Sequence, residues 1–163
     1  NNPSEDKKKK AARAIEIDQS GDVISGAANI LLLTGDPTTA KHLFQRAMKV
    51  SPFYPVWYAN RLAEAHIMLK EYDKAATILS ELVSKSQEDG VNLREKSRAL
   101  VALSFIDAKE GRANSAATRI KELKMINPNF SAKSIGNYLG MVSDTKFFQE
   151  FKNNAIELGI PIE

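Results

Sequence analysis

The chain has 163 residues, 43% apolar and 26% charged, with a formal net charge of +3. That is the composition of a soluble globular protein with one sizeable core. Without cysteine it can hold no disulfide framework and no thiolate zinc site, and with only His42 and His66 it can build no multi-histidine metal site. No apolar stretch comes near the length needed to span a membrane; Ile30 to Leu33, for example, is far too short. Asn1 to Asp6 lack the apolar core of a signal peptide, so a cytoplasmic location is expected. The first residue is not Met, and a fragment of a longer polypeptide is expected.

Almost every segment reads as helix. Residues 5–17 carry charge early, then Ala11, Ala12, Ala14, Ile15 and Ile17, and within residues 1–20 they read as the last helix of a preceding repeat. Ser20 or Asp22 is placed to cap a helix reaching about Thr34, in which Ile24, Ala27, Ala28 and Leu31 form an i, i+3, i+4, i+7 stripe. Gly35 ends it. Asp36 then caps, and Pro37 opens, a helix that runs to about Val50, where Ser51-Pro52 stops it. A second pair is expected over Val56 to Leu69 and over Tyr72 or Asp73 to Lys85. Ser86 to Val91 is polar, with Asp89-Gly90 as a turn. Asn92 and Glu95 form an N-x-x-E box before a helix to about Glu110, which Gly111 closes; its partner spans about Ala113 to Ile126. Beyond Pro128, Ser131 can cap a short helix to about Met141. Ser143 or Asp144 can cap a last one to about Leu158, with Phe147, Phe148, Phe151, Ala155 and Leu158 contributing apolar positions. No period-2 run of β-branched and aromatic residues is present, so a mixed α/β nucleotide-binding domain is not encoded.

One pattern recurs three times: a turn glycine, an alanine, a large apolar residue and then Ala or Leu. The copies are Gly35, Ala40, Phe44, Ala47; Lys70 in place of the glycine, Ala75, Leu79, Leu82; and Gly111, Ala116, Ile120, Leu123. The anchoring alanines stand 35 and 41 residues apart, just above the period of a helix-turn-helix solenoid. Small residues let the two helices of a hairpin approach, and bulky ones fill the space between hairpins. With Ile24, Ala27 and Ala28, then Ala59, Leu62 and Ala63, then Leu100, Leu103 and Ser104, the set resembles the tetratricopeptide repeat over residues 21–130. His66 and Asp107 depart from it by standing where a bulky apolar residue is expected. The resemblance implies an all-α, right-handed solenoid of three repeats, at 21–54, 55–92 and 93–130. Residues 131–163 are expected to form a C-terminal helical cap packing its phenylalanines around Ile120 and Leu123. About seven extra residues near Ser86–Asn92 are expected to lengthen a helix or protrude as a loop.

The third repeat and tail, with Glu110-Gly111-Arg112, Ile126-Asn127-Pro128-Asn129-Phe130-Ser131 and Glu157-Leu158-Gly159-Ile160-Pro161, also resemble a narrower group. These are the C-terminal tetratricopeptide regions of bacterial class III adenylate/guanylate cyclases and of related repeat-bearing transcription regulators. The resemblance implies an output domain upstream and a regulatory, partner-binding or oligomerising role here.

In tetratricopeptide proteins the first helix of each hairpin lines a concave groove. The positions that would face it here supply Asn29, Trp57, Asn60, Arg61, Glu64, Arg98 and Phe105 as candidate binding residues, beside Asp22, Ser25, Val101 and Lys109. Asn29, Arg61 and Arg98 resemble part of a clamp for a C-terminal carboxylate, but Ser25 and Ala102 replace two of its basic members. A protein or peptide partner, extended or helical, is the expected ligand, and a homodimer the alternative.

The chain has no P-loop, no G-x-G-x-x-G, no H-E-x-x-H and no G-x-S-x-G. It is expected to be no enzyme and to need no cofactor. His66 reads as a hydrogen-bonded core residue and His42 as exposed. Lys7 to Lys10 read as a solvated helix face; with no aromatic interleaving and no basic stripe elsewhere, no nucleic-acid partner is expected.

Overall fold

A computed structural model describes residues 3–85, 91–139 and 146–163. Among them are nine helices and no strand: α1 (Pro3–Ile17), α2 (Gly21–Leu33), α3 (Pro37–Val50), α4 (Trp57–Met68), α5 (Tyr72–Ser84), α6 (Leu93–Lys109), α7 (Ala113–Ile126), α8 (Ala132–Leu139) and α9 (Lys146–Glu157). The expected all-α class is the one found. Asp89-Gly90 and the caps placed at Ser143 or Asp144 lie outside the described residues. The chain forms two compact units, Asn1–Glu71 and Tyr72–Glu163. Their boundary falls in the turn between α4 and α5.

In the first unit α2 and α3 form a hairpin; α1 packs on α2, and α4 packs chiefly on α3. Asp36 starts α3 by accepting a hydrogen bond from the Thr39 N–H (3.1 Å), with Pro37 in the first turn. Ser20 makes no side-chain cap to α2, and Asp22 instead accepts a hydrogen bond from the Tyr58 hydroxyl (2.8 Å), tying α2 to α4. Gly21 is required by close approach: a Cβ there would sit 2.1 Å from Ser51 Oγ and 2.9 Å from Ser51 Cβ. In the second unit α6 and α7 form the hairpin, α5 packs on α6, and α8 and α9 pack on α6 and on each other. Asn92 caps α6 by accepting from the Glu95 N–H (3.0 Å). The first N–H groups of α8 are satisfied by the end of the chain, Ala132 N–H donating to the Pro161 carbonyl (2.7 Å) and Lys133 N–H to that of Ile162 (3.3 Å).

The recurring small and bulky residues are the core. Ala40, Ala75 and Ala116 have no exposed surface, and Phe44, Ala47, Leu79, Leu82, Ile120 and Leu123 are buried beside them. Leu31 of the expected stripe is only half-buried, and Leu32 takes the interior place.

Four helices stop in the same way. In α2, α4, α6 and α9 the residue after the cap has positive φ: Gly35 (85°), Lys70 (59°), Gly111 (74°) and Gly159 (96°). Each sends its N–H back to Leu32, Ile67, Ala108 or Ile156. The next N–H, from Asp36, Glu71, Arg112 or Ile160, reaches back to Leu31, His66, Asp107 or Ala155. This double bond pattern satisfies carbonyls that a helix end would orphan. Lys70 thus adopts the left-handed conformation that its glycine counterparts take without steric cost. Lys70→Gly is expected to raise stability by about 0.5–1 kcal/mol, offset in part by glycine's greater freedom when unfolded. Urea unfolding checks this; an unchanged or lower midpoint would count against strain at Lys70.

The same turns explain the two departures from the repeat. This motif usually joins its flanking residues by an apolar contact. Here His66 Nδ1 meets the Glu71 carboxylate, and Glu71 also accepts from Lys41 Nζ (3.0 Å). In the second unit Asp107 accepts from Arg112 Nε (2.9 Å) and Nη2 (2.7 Å). Asp107, then Glu110, holds the Arg112 guanidinium above its ordinary pKa. A charged or hydrogen-bonded pair replaces the apolar staple, so a polar residue fits at each bulky site.

Candidate functional site

Five of the seven candidate residues are buried, and Asn29 and Trp57 are half-buried. In the first unit Asn29, on α2, is half-buried, and its Oδ1 has no hydrogen-bond donor among the described residues. Trp57 opens α4 and is also half-buried. Its ring meets Phe44 edge-on with centroids 6.3 Å apart, and Tyr58 at 4.5 Å. Tyr54 stacks on Tyr58 at 6.0 Å, and burial pushes the Tyr58 hydroxyl pKa up. The other α4 candidates are buried: Asn60 is 1% exposed, Arg61 5% and Glu64 3%. Arg61 Nη1 donates to Glu64 Oε2 at 2.8 Å.

In the second unit Arg98 is 5% exposed and Phe105 2%. Phe105 is covered by α9. Its ring lies 5.0 Å from that of Phe151 and 5.8 Å from that of Phe147, which are themselves 5.9 Å apart. Lys109, one turn on along α6, pairs with Glu150 of α9 (3.3 Å), its Nζ 5.2 Å from the Phe105 ring centroid. Between α6 and α9 a cleft of about 330 Å³ remains, lined by Phe105, Ala108, Lys109, Glu150, Asn153, Asn154 and Glu157. Asn154 Oδ1 is buried with no donor among the described residues.

Asn60, Arg61, Glu64 and Arg98 are polar yet buried. A charge and its counter-ion three residues apart, as Arg61 and Glu64 are, share one helix face and can be buried together. Phe105 is covered in this structure by α9. Phe147 and Phe151 of α9 pack on Phe105, in the third repeat as expected, and Glu150 pairs with Lys109. The burial of Asn154 Oδ1 was not foreseen; the spacing Phe147-x-x-Glu150-Phe151 was the available signal for the docking of α9.

Elsewhere the charges are local. Lys7 to Lys10 lie within α1, where Lys8 pairs with Glu5 (3.1 Å) and Lys10 with Asp6 (2.8 Å). Among the described residues no group of three or more His, Cys, Asp or Glu is placed to hold a metal ion. No described helix is long and apolar enough to cross a membrane.

Comparison with known proteins agrees with this architecture. Residues 31–95, from the last turn of α2 to the start of α6, match a family model described as tetratricopeptide repeat. Among solved structures, the crystal structure of MamA is similar with a TM-score of 0.63 and 16% identity, covering 93% of this chain and 85% of that one. At that identity the likeness is one of fold. No curated protein matches the chain.

Proposed function

We propose that this chain is a non-catalytic protein-interaction module of the tetratricopeptide type. The match of residues 31–95 to that repeat, together with the all-helical fold, carries the reading. Such arrays bury their small and bulky repeat positions and present the remaining helix faces to partners. In the first unit the half-buried Asn29, with its unmet Oδ1, and Trp57 are the contacts proposed for a partner. The buried Asn60, Arg61 and Glu64 would stiffen α4 beside Trp57. The tail sequence at 126–131 and 157–161 further supports a place C-terminal to a class III cyclase domain in a cytoplasmic polypeptide. There the module would bind a partner or assemble the enzyme.

Two measurements test the proposal. Affinity capture with the intact chain should retain a protein that an Asn29→Arg, Trp57→Ala variant of equal helicity fails to retain. Retention of nothing beyond an unrelated helical control, by a chain that stays monomeric in light scattering, would sink it. With ATP or GTP and manganese the chain should form no cyclic nucleotide; turnover surviving repurification would overturn the non-catalytic reading.

A further inference from the structure

The face of α6 that tetratricopeptide geometry would offer to a partner is filled by a helix of the same chain. α9 is amphipathic, lays Phe147 and Phe151 against Phe105, and sets Glu150 on Lys109. An aromatic pair at i, i+4 with a charge beside it is how an amphipathic helix is read in a groove. The fit is incomplete. Phe151 is 2% exposed while Phe147 remains half-buried, and the 330 Å³ cleft persists alongside. Asn154 Oδ1, at its wall, has no donor among the described residues. A buried acceptor without a donor is costly, so the seating of α9 on α6 carries a cost that undocking relieves. The lining carries two carboxylates, Glu150 and Glu157, against the single ammonium of Lys109.

We propose that the α6 face bearing Phe105 and Lys109 is a receptor for an amphipathic helix with a Phe-x-x-Glu-Phe core. α9 is its resident occupant, exchangeable for such a helix on a partner protein. This rests on the interaction-module reading and names the partner class for one face. While α9 is docked, only the fraction of molecules with an open face can bind in trans, so the apparent affinity for a partner helix is reduced by that fraction. Loosening α9 should therefore strengthen binding in trans, although it removes contacts from the chain.

The probe is a labelled peptide of residues 146–158, titrated against the intact chain by fluorescence anisotropy. Weak binding to the wild type is expected, with binding about tenfold tighter to Phe147→Ala, in which the resident helix is loosened. If Phe147→Ala does not keep wild-type helicity, the charge arm decides alone. Lys109→Glu is a surface change that should reject the native peptide and accept one carrying Glu150→Lys. The inference is overturned if folded Phe147→Ala binds no peptide, or if Lys109→Glu does not reverse the peptide preference. Capture of a partner through Asn29 and Trp57 with no peptide binding in any variant would sink this inference and leave the module reading standing.

Discussion

Phe151→Ala is expected to lower the unfolding free energy by about 3–5 kcal/mol, the cost of truncating a buried phenylalanine to leave a cavity. The side chain is 2% exposed and its ring lies 5.0 Å from that of Phe105, itself 2% exposed. Removing it takes away the central anchor by which α9 holds α6, and exposes an apolar ring on the last hairpin. Against a total stability of roughly 5–15 kcal/mol this is a large fraction. Phe53→Ala is an internal control. Phe53 lies between α3 and α4 and is fully exposed, at 100% of its surface, so its truncation should change stability by no more than about 0.5 kcal/mol. Urea unfolding of the two variants against the wild type measures both. Equal midpoints for Phe151→Ala and the wild type would show that α9 adds nothing to the fold. The tail would then be a detachable segment and not a cap.

Where the sequence carried geometry through small residues and glycine, it was legible. Ala40 and Ala116 mark where α2 meets α3 and where α6 meets α7, and Ala75 is as fully buried on α5. The turns at Gly35 and Gly111 were equally plain, because a positive φ favours glycine. Lys70 concealed the third turn of the series, and only the backbone shows that it closes α4 in the same way. The polar departures were harder to place. His66 and Asp107 stand at bulky positions because Glu71 and Arg112, five residues on, supply partners across the turn. That pairing depends on the helix-stop geometry and has no period of its own. Burial was the least legible property of the candidate residues. Arg61 and Glu64 can retreat from water as a pair, and nothing in a linear pattern separates a paired charge on a buried face from a solvated one. The tail's docking was half legible: the phenylalanine stripe announced a buried helix, but its contacts on α6 are Phe105 and Lys109, which had been reserved for a partner.

Arg61 and Glu64 give the second large effect, and its sign should depend on how many of the two are changed. Both are buried, at 5% and 3% exposure, and joined at 2.8 Å on one face of α4. Taking two charges out of water is costly, and their mutual attraction at close range offsets that cost only while both are present. Glu64→Leu puts an apolar side chain of similar volume in its place but withdraws the carboxylate from a buried guanidinium. A loss of about 3–5 kcal/mol is expected, as for other buried pairs broken on one side. Arg61→Met with Glu64→Leu removes both charges, and stability should return to within about 1 kcal/mol of the wild type or exceed it. A double-mutant cycle by chemical denaturation reads the difference as the coupling between the two sites. If the single and double variants are equally unstable, the pair is not the unit that stabilises this face of α4. If the double variant is stable and still retains the partner captured by the wild type, the two residues support the helix without touching the ligand. If it is stable but has lost the partner, the charges themselves are read by the ligand, and burial in the free chain is a resting state from which binding draws them out.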